Sequence, residues 1–274
     1  MTIIANPIYD VVFKYMMEDE RVAKLLLSAL LQKEVVSLKM CERKRHPGKR
    51  KAGILMSCIV FLTNVCNTDG TENQIAVEFR KTWRITQTLP LRQYLSAQYL
   101  KEGIVPSREE YEECSGLPIV TIYILGHKLG YILGHKLGNV EAPVIYVCRR
   151  HLNADLNWTG VSDEFIDNLP NDSIIVQIPY VGGNACNRLE RLLSVFDQSR
   201  CIKSNDHLLE IDDDLFLQDE QILINHLIRI ALIPNICRAM DIEDELLSEI
   251  EKRDTTIMLQ DKMIEELDKR IRVR

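Results

Sequence analysis

A chain of 274 residues, 46% hydrophobic and 27% charged, is long enough to bury one large core or a core with an appendage. A net charge of −6 excludes indiscriminate nucleic-acid binding by the whole surface, although a local basic groove remains compatible with it. The longest apolar run, 54–65, is interrupted by Ser57, Cys58, Thr63 and Asn64, which argues against a membrane span.

The opening MTIIANPIYD lacks a basic stretch followed by an apolar one, so a cytoplasmic protein is expected. Asn6 before Pro7 reads as a helix N-cap and first-turn pair. Val22, Leu25, Leu26, Ala29 and Leu30 share one helical face, which predicts a helical hairpin or a long bent helix over 8–32. A short strand is expected at 35–40. The segment 43–51 follows, with Arg43, Lys44, Arg45, Lys49, Arg50 and Lys51 among its nine residues. It reads as a clamp on a phosphate backbone or as a solvated loop that protects a sheet edge.

The β-branched run 54–66, the turn residues 67–71 and the run 75–81 predict a hairpin turning at Asp69-Gly70. The stretch 91–100 has helical spacing, and Trp83, Tyr94 and Tyr99 read as base-stacking or core aromatics. Strands are expected at 118–125, 143–148 and 173–178. Between the first two, YILGHKLG at 123–130 recurs at 131–138, so His127 and His135 are copies of one residue rather than a metal pair. Helices are expected at 187–196, at 221–233 and onward from 242. Asp212, Asp213, Asp214, Asp219 and Glu220 before the second of these read as a loop and a helix N-terminus. Ile250, Ile257, Ile264 and Ile271 recur at heptad spacing. The last helix is therefore expected either to self-associate or to pack on its own domain. Eight scattered cysteines without a C-x-x-C pair are expected to be reduced thiols.

Within the hairpin, I-A-V-E-F-R-K (75–81) places Glu78 just before Arg80 and Lys81. A surface ion pair at a strand end is one reading. The other is half of a metal-dependent phosphodiesterase site, where two carboxylates hold a divalent ion and a cation steadies the phosphoryl charge. With a turn at Asp69-Gly70, Glu78 should face about Phe61. The opposing strand holds no acid, and Asn64 is its nearest substitute for one.

Six segments in order resemble the PD-(D/E)XK nuclease family transposases, also described as recombination-promoting nucleases. They are N-P-I-Y-D-V-V-F-K-Y-M-M-E-D-E-R-V-A-K-L-L-L-S-A-L-L (6–31), A-V-E-F-R-K (76–81), R-Q-Y-L-S-A-Q-Y (92–99), P-I-V-T-I-Y-I-L-G-H-K-L (118–129), V-Q-I-P-Y (176–180) and L-L-S-V-F-D-Q-S (192–199). The resemblance implies an α/β fold with a restriction-endonuclease-like mixed central sheet flanked by helices, here with a helical C-terminal extension. It implies DNA as partner, magnesium or manganese as cofactor, and phosphodiester hydrolysis as activity. Glu78 matches the family's metal-binding glutamate, Lys81 its following lysine, and Arg80 a position of Gln or Lys. Asp10, Phe13 and Lys14 match the opening signature, expected to shape the site. The first-strand aspartate should align near Cys58 or Asn64 and is replaced, so Asn64 is expected as a degenerate second ligand. The alternative is an inactive relative that binds DNA or protein. The expected divisions are a nuclease-like domain over 1–200, a helical continuation over 201–240 and a C-terminal helix over 241–274.

Overall fold

The computed structural model describes residues 1–41, 57–82, 114, 116–126, 142–148, 172–182 and 187–272. The basic segment 43–51, the aromatics Trp83, Tyr94 and Tyr99, the helix expected at 91–100 and His127 and His135 lie outside these residues.

Alternation of β-branched and apolar residues builds a six-stranded mixed sheet. Its strands are β2 (Glu34–Cys41), β3 (Ser57–Cys66), β4 (Glu72–Thr82), β5 (Ile119–Leu125), β6 (Val144–Val147) and β7 (Asp172–Gln177). They are ordered β2-β3-β4-β5-β7-β6. β2, β3 and β4 form an antiparallel meander, β4, β5 and β7 run parallel, and β6 returns antiparallel on the edge. The chain is thus a mixed α/β protein, as expected.

The predicted helical hairpin is α1 (Asp10–Glu18) and α2 (Glu20–Leu31), divided at Asp19. Asp19 ends the first helix in extended backbone and caps the second by accepting from the Arg21 N–H at 3.0 Å. Val12, Phe13, Met16, Val22, Leu26 and Leu30 bury the inner faces of the two helices. Phe13 meets Phe79 edge-on at 5.6 Å, and Phe79 meets Phe61 at 6.2 Å, so α1 is fixed to the centre of the sheet.

A second sheet was not anticipated. β1 (Thr2–Ala5) pairs antiparallel with β9 (Asn205–Ile211), which also pairs with the two-residue β8 (Cys201–Ile202). Four residues carry little local strand signal, and their partner lies about two hundred positions away. One hydrophobic cluster extends from Ile4 to Met240, so residues 201–240 share a core with 1–200. The remaining helices are α3 (Arg188–Leu193), α4 (Gln221–Ala231) and α5 (Pro234–Arg272). α5 begins earlier than residue 242, with Pro234 in its first turn, where a missing N–H costs nothing. Ile236 and Met240 anchor it in the core, whereas Leu246, Leu259, Met263, Ile264 and Leu267 are exposed. Among the described residues, no single helix is long and apolar enough to cross a membrane.

Asn6 does not cap α1. It is fully buried, and its Oδ1 accepts from the Ile8 N–H at 3.1 Å and from Gln198 Nε2 at 3.1 Å. Its Nδ2 donates to Gln198 Oε1 at 3.0 Å and to the Asp206 carbonyl at 2.9 Å. Asn6 thus ties the link between β1 and α1 to Gln198 and to β9. Removing it strands several buried polar groups, so Asn6→Ala should cost about 2–4 kcal/mol, against about 1 for a simple cap. Urea denaturation, read as a fall in midpoint at unchanged slope, measures it.

Candidate functional site: the two faces of strand β4

The hairpin turn sets the site. Residues 67–71 form the loop, with the Asn67 N–H donating to the Thr71 carbonyl at 2.8 Å and Asp69 accepting from the Thr71 N–H at 2.9 Å. Gly70 takes a φ of +80°, which glycine adopts without strain. This five-residue loop is centred on Asp69, so the register is one residue away from that of a two-residue Asp69-Gly70 turn. Glu78 lies opposite Val60, and Phe61 lies opposite Val77. A one-residue shift exchanges faces, and it sends Phe61 to the core and Val60 to the face of Glu78.

On that face the register aligns Cys41, Val60, Glu78, Thr121 and Ser173 in one row across five strands. The adjacent row carries Cys58, Arg80, Tyr123 and Ile175. Glu78, Arg80, Thr121 and Ser173 are all buried. Arg80 Nε donates to Glu78 Oε1 at 2.8 Å, a charge-assisted bond between neighbours two residues apart on one strand. The expected surface ion pair is therefore a buried one. Arg80 is close to the carboxyl end of β4, which lies beside the carboxyl ends of the parallel strands β5 and β7. Ligands of open α/β sheets gather at such an edge. β2 ends at Cys41 and β3 begins at Ser57 on that same edge.

Asn64 shares the face of Glu78 but not its neighbourhood. It pairs with Gln74, four residues along β3 from Val60, or about 13 Å away. Its Nδ2 donates to Ser37 Oγ at 2.9 Å. Asn64 and Glu78 are therefore not brought together, and one ion at oxygen-ligand distance cannot bridge them.

Lys81 is separated from Glu78 by the strand's pleat. It points to the opposite face with Val77 and Phe79 and is fully buried, its Nζ 5.7 Å from the Phe13 ring centroid. Lys81 Nζ donates to the Ile8 carbonyl and lies 3.6 Å from Asp10 Oδ1, which has no hydrogen-bond partner among the described residues. Lys14 reaches the other Asp10 oxygen at 3.3 Å. Glu243 completes the cluster from α5. Its carboxylate accepts from the N–H groups of Asp10 and Val11, both at 3.0 Å. These are orphan donors of the α1 N-terminus, where Tyr9 supplies no side-chain cap. Next to it, Asp244 accepts from Tyr9 Oη at 3.0 Å and contacts His207 Nε2 at 2.8 Å.

Burial pulls Lys81 down to about 8, against the attraction of Asp10 and Glu243. Burial likewise pushes Glu243 up to about 7, against the attraction of Lys81. Thr121, Ser173 and Glu243 were not read as site residues from the sequence. A hydroxyl within the β-branched run I-V-T-I-Y was the available signal for Thr121, and nothing local marks Glu243 in the acidic run 241–245.

No protein-family model, characterised protein or solved structure matches this chain.

Two outcomes follow for the Lys81 face. Lys81→Met leaves Asp10 and Glu243 facing each other in a buried site and should cost about 3–5 kcal/mol in urea denaturation. Glu243 has a raised folded pKa, so its contribution is complete below its ordinary 4.5 and is lost as pH rises through about 7. Relative to Glu243→Gln, the native chain should therefore lose about 1–2 kcal/mol between pH 5 and pH 7.5, a figure discounted for the partial solvent access of this group.

Proposed function

We propose that this chain is a DNA-binding protein of the PD-(D/E)XK nuclease and transposase type, built on a restriction-endonuclease-like core with a degenerate hydrolytic site. The observation that carries the reading is the immediate environment of Glu78. Its neighbour on the strand face is the guanidinium of Arg80 at 2.8 Å, and the residue across from it is Val60. A buried ion pair is weak support for stability, because hydrophobic residues of similar volume often serve as well. Charges kept in the middle of a sheet, beside two buried hydroxyls and at the carboxyl edge of parallel strands, fit a ligand site better than a stabilising one.

The family likeness calls for magnesium or manganese, and the described residues do not fit such an ion. Glu78 Oε1 is taken by Arg80, and Asn64 is about 13 Å along β3 and bound to Ser37. Among the described residues, no three His, Cys, Asp or Glu side chains are grouped to hold a metal. Arg80 is a planar phosphate-binding group and a poor proton carrier, which suits binding rather than catalysis. Arg43, Lys44, Arg45, Lys49, Arg50 and Lys51 are the backbone clamp of this reading, and the exposed apolar residues of α5 are its self-association surface.

The second reading is a magnesium-dependent endonuclease with Glu78, Arg80 and Lys81 as catalytic residues. It is favoured by the burial of Glu78 and Arg80, a desolvation that strengthens charge interactions within a site. Incubation of plasmid DNA with magnesium or manganese separates the two. Equal background from the native chain and Glu78→Ala is expected, whereas cleavage lost in the variant would return the hydrolase. Binding of a DNA duplex should weaken about tenfold or more on replacing Lys44, Arg45, Lys49 and Arg50 by Ala, with a flatter salt dependence. Unchanged affinity would remove DNA from the proposal. Cys58 is in register with Arg80, two residues along β3 from Val60. Calorimetry should therefore show manganese binding gained in Cys58→Asp and not in Asn64→Asp.

A further inference from the structure

Cys41 and Cys114 are far apart in sequence, yet their sulfurs lie 3.6 Å from each other. Cys41 is the last residue of β2 and is half-buried, while Cys114 is buried before β5. The two thiols pack with Val60, Ala76 and Ile119 in a small apolar cluster separate from the main core. Val60 lies directly across from Glu78, and Ala76 precedes it by two residues on the same face. The thiol pair therefore sits beside the charged row, and Cys41 is also the last described residue before the basic segment 43–51.

We propose that Cys41 and Cys114 form a reversible thiol–disulfide site, oxidised by a small-molecule disulfide such as oxidised glutathione. The half-buried Cys41 is the thiol that solvent reaches. Its thiolate attacks one sulfur of the oxidant, forming a mixed disulfide and expelling one glutathione thiolate. Cys114, already in van der Waals contact, then attacks Cys41 Sγ and expels the second glutathione thiolate. Both cysteines lose their protons to solvent, the protein is oxidised by two electrons, and the oxidant is reduced to two thiols. Closing the bond brings the sulfurs from 3.6 Å to about 2 Å. The bond would tie the end of β2 to the residues that precede β5, across β3 and β4.

The test uses the full-length reduced chain incubated with oxidised glutathione, followed by alkylation and peptide mass spectrometry. The expected product is one Cys41–Cys114 cross-link, with neither of these two cysteines retaining glutathione. In Cys114→Ser, the glutathione adduct should persist on Cys41. In Cys41→Ser, Cys114 should remain a free thiol. Persistent glutathione on Cys41 in the native chain, or cross-linking spread among other cysteines, would overturn the proposal. The readout does not involve DNA, so it stands or fails separately from the proposed function.

Discussion

Lys81 is the point on which three parts of the chain converge. Its ammonium group has no access to solvent and can remain charged only because the Ile8 carbonyl, Asp10 and Glu243 surround it. Those partners come from the turn before α1, from α1 itself and from α5, while Lys81 belongs to the central strand β4. The same Glu243 carboxylate satisfies the first N–H groups of α1. One cluster thus supplies a helix cap, sets the docking of the long C-terminal helix and holds the strand that carries Glu78 and Arg80.

This arrangement divides β4 between two tasks by its pleat alone. Val77, Phe79 and Lys81 face the helices and the aromatic centre formed by Phe13 and Phe61. Glu78 and Arg80 face the other way, in line with Thr121, Ser173 and Tyr123. The sequence E-F-R-K offers two cations to one carboxylate, and alternation assigns only Arg80 to it. Lys81 directly follows Arg80 in sequence, yet the pleat turns it to the opposite face, among buried neighbours.

Much of the fold was legible because its signals are local. Periodic Val22, Leu26 and Leu30 marked a helix, and the β-branched runs marked β3, β4, β5, β6 and β7. The meander also followed from the loop chemistry of Asn67, Asp69 and Gly70, although the loop proved to be five residues instead of two. That difference moved the register by one, placed Val60 opposite Glu78 and separated Asn64 from it. What escaped was non-local. β1 depends on β9, Asn6 is held by Gln198 and Asp206, and Glu243 reaches back to Asp10. Such pairings are chosen by the closed core and leave no periodic mark in the segments that make them.

On the proposed function, Glu78 and Arg80 are kept for a ligand rather than for the fold. The double replacement Glu78→Leu with Arg80→Met removes both charges while preserving most of the buried volume, and it tests this directly when stability and DNA affinity are read on the same preparation. A urea stability within about 1 kcal/mol of the native chain, or above it, is expected together with a DNA affinity lowered about tenfold. A loss of about 3 kcal/mol or more with DNA affinity unchanged would contradict it, and would make the pair a structural one.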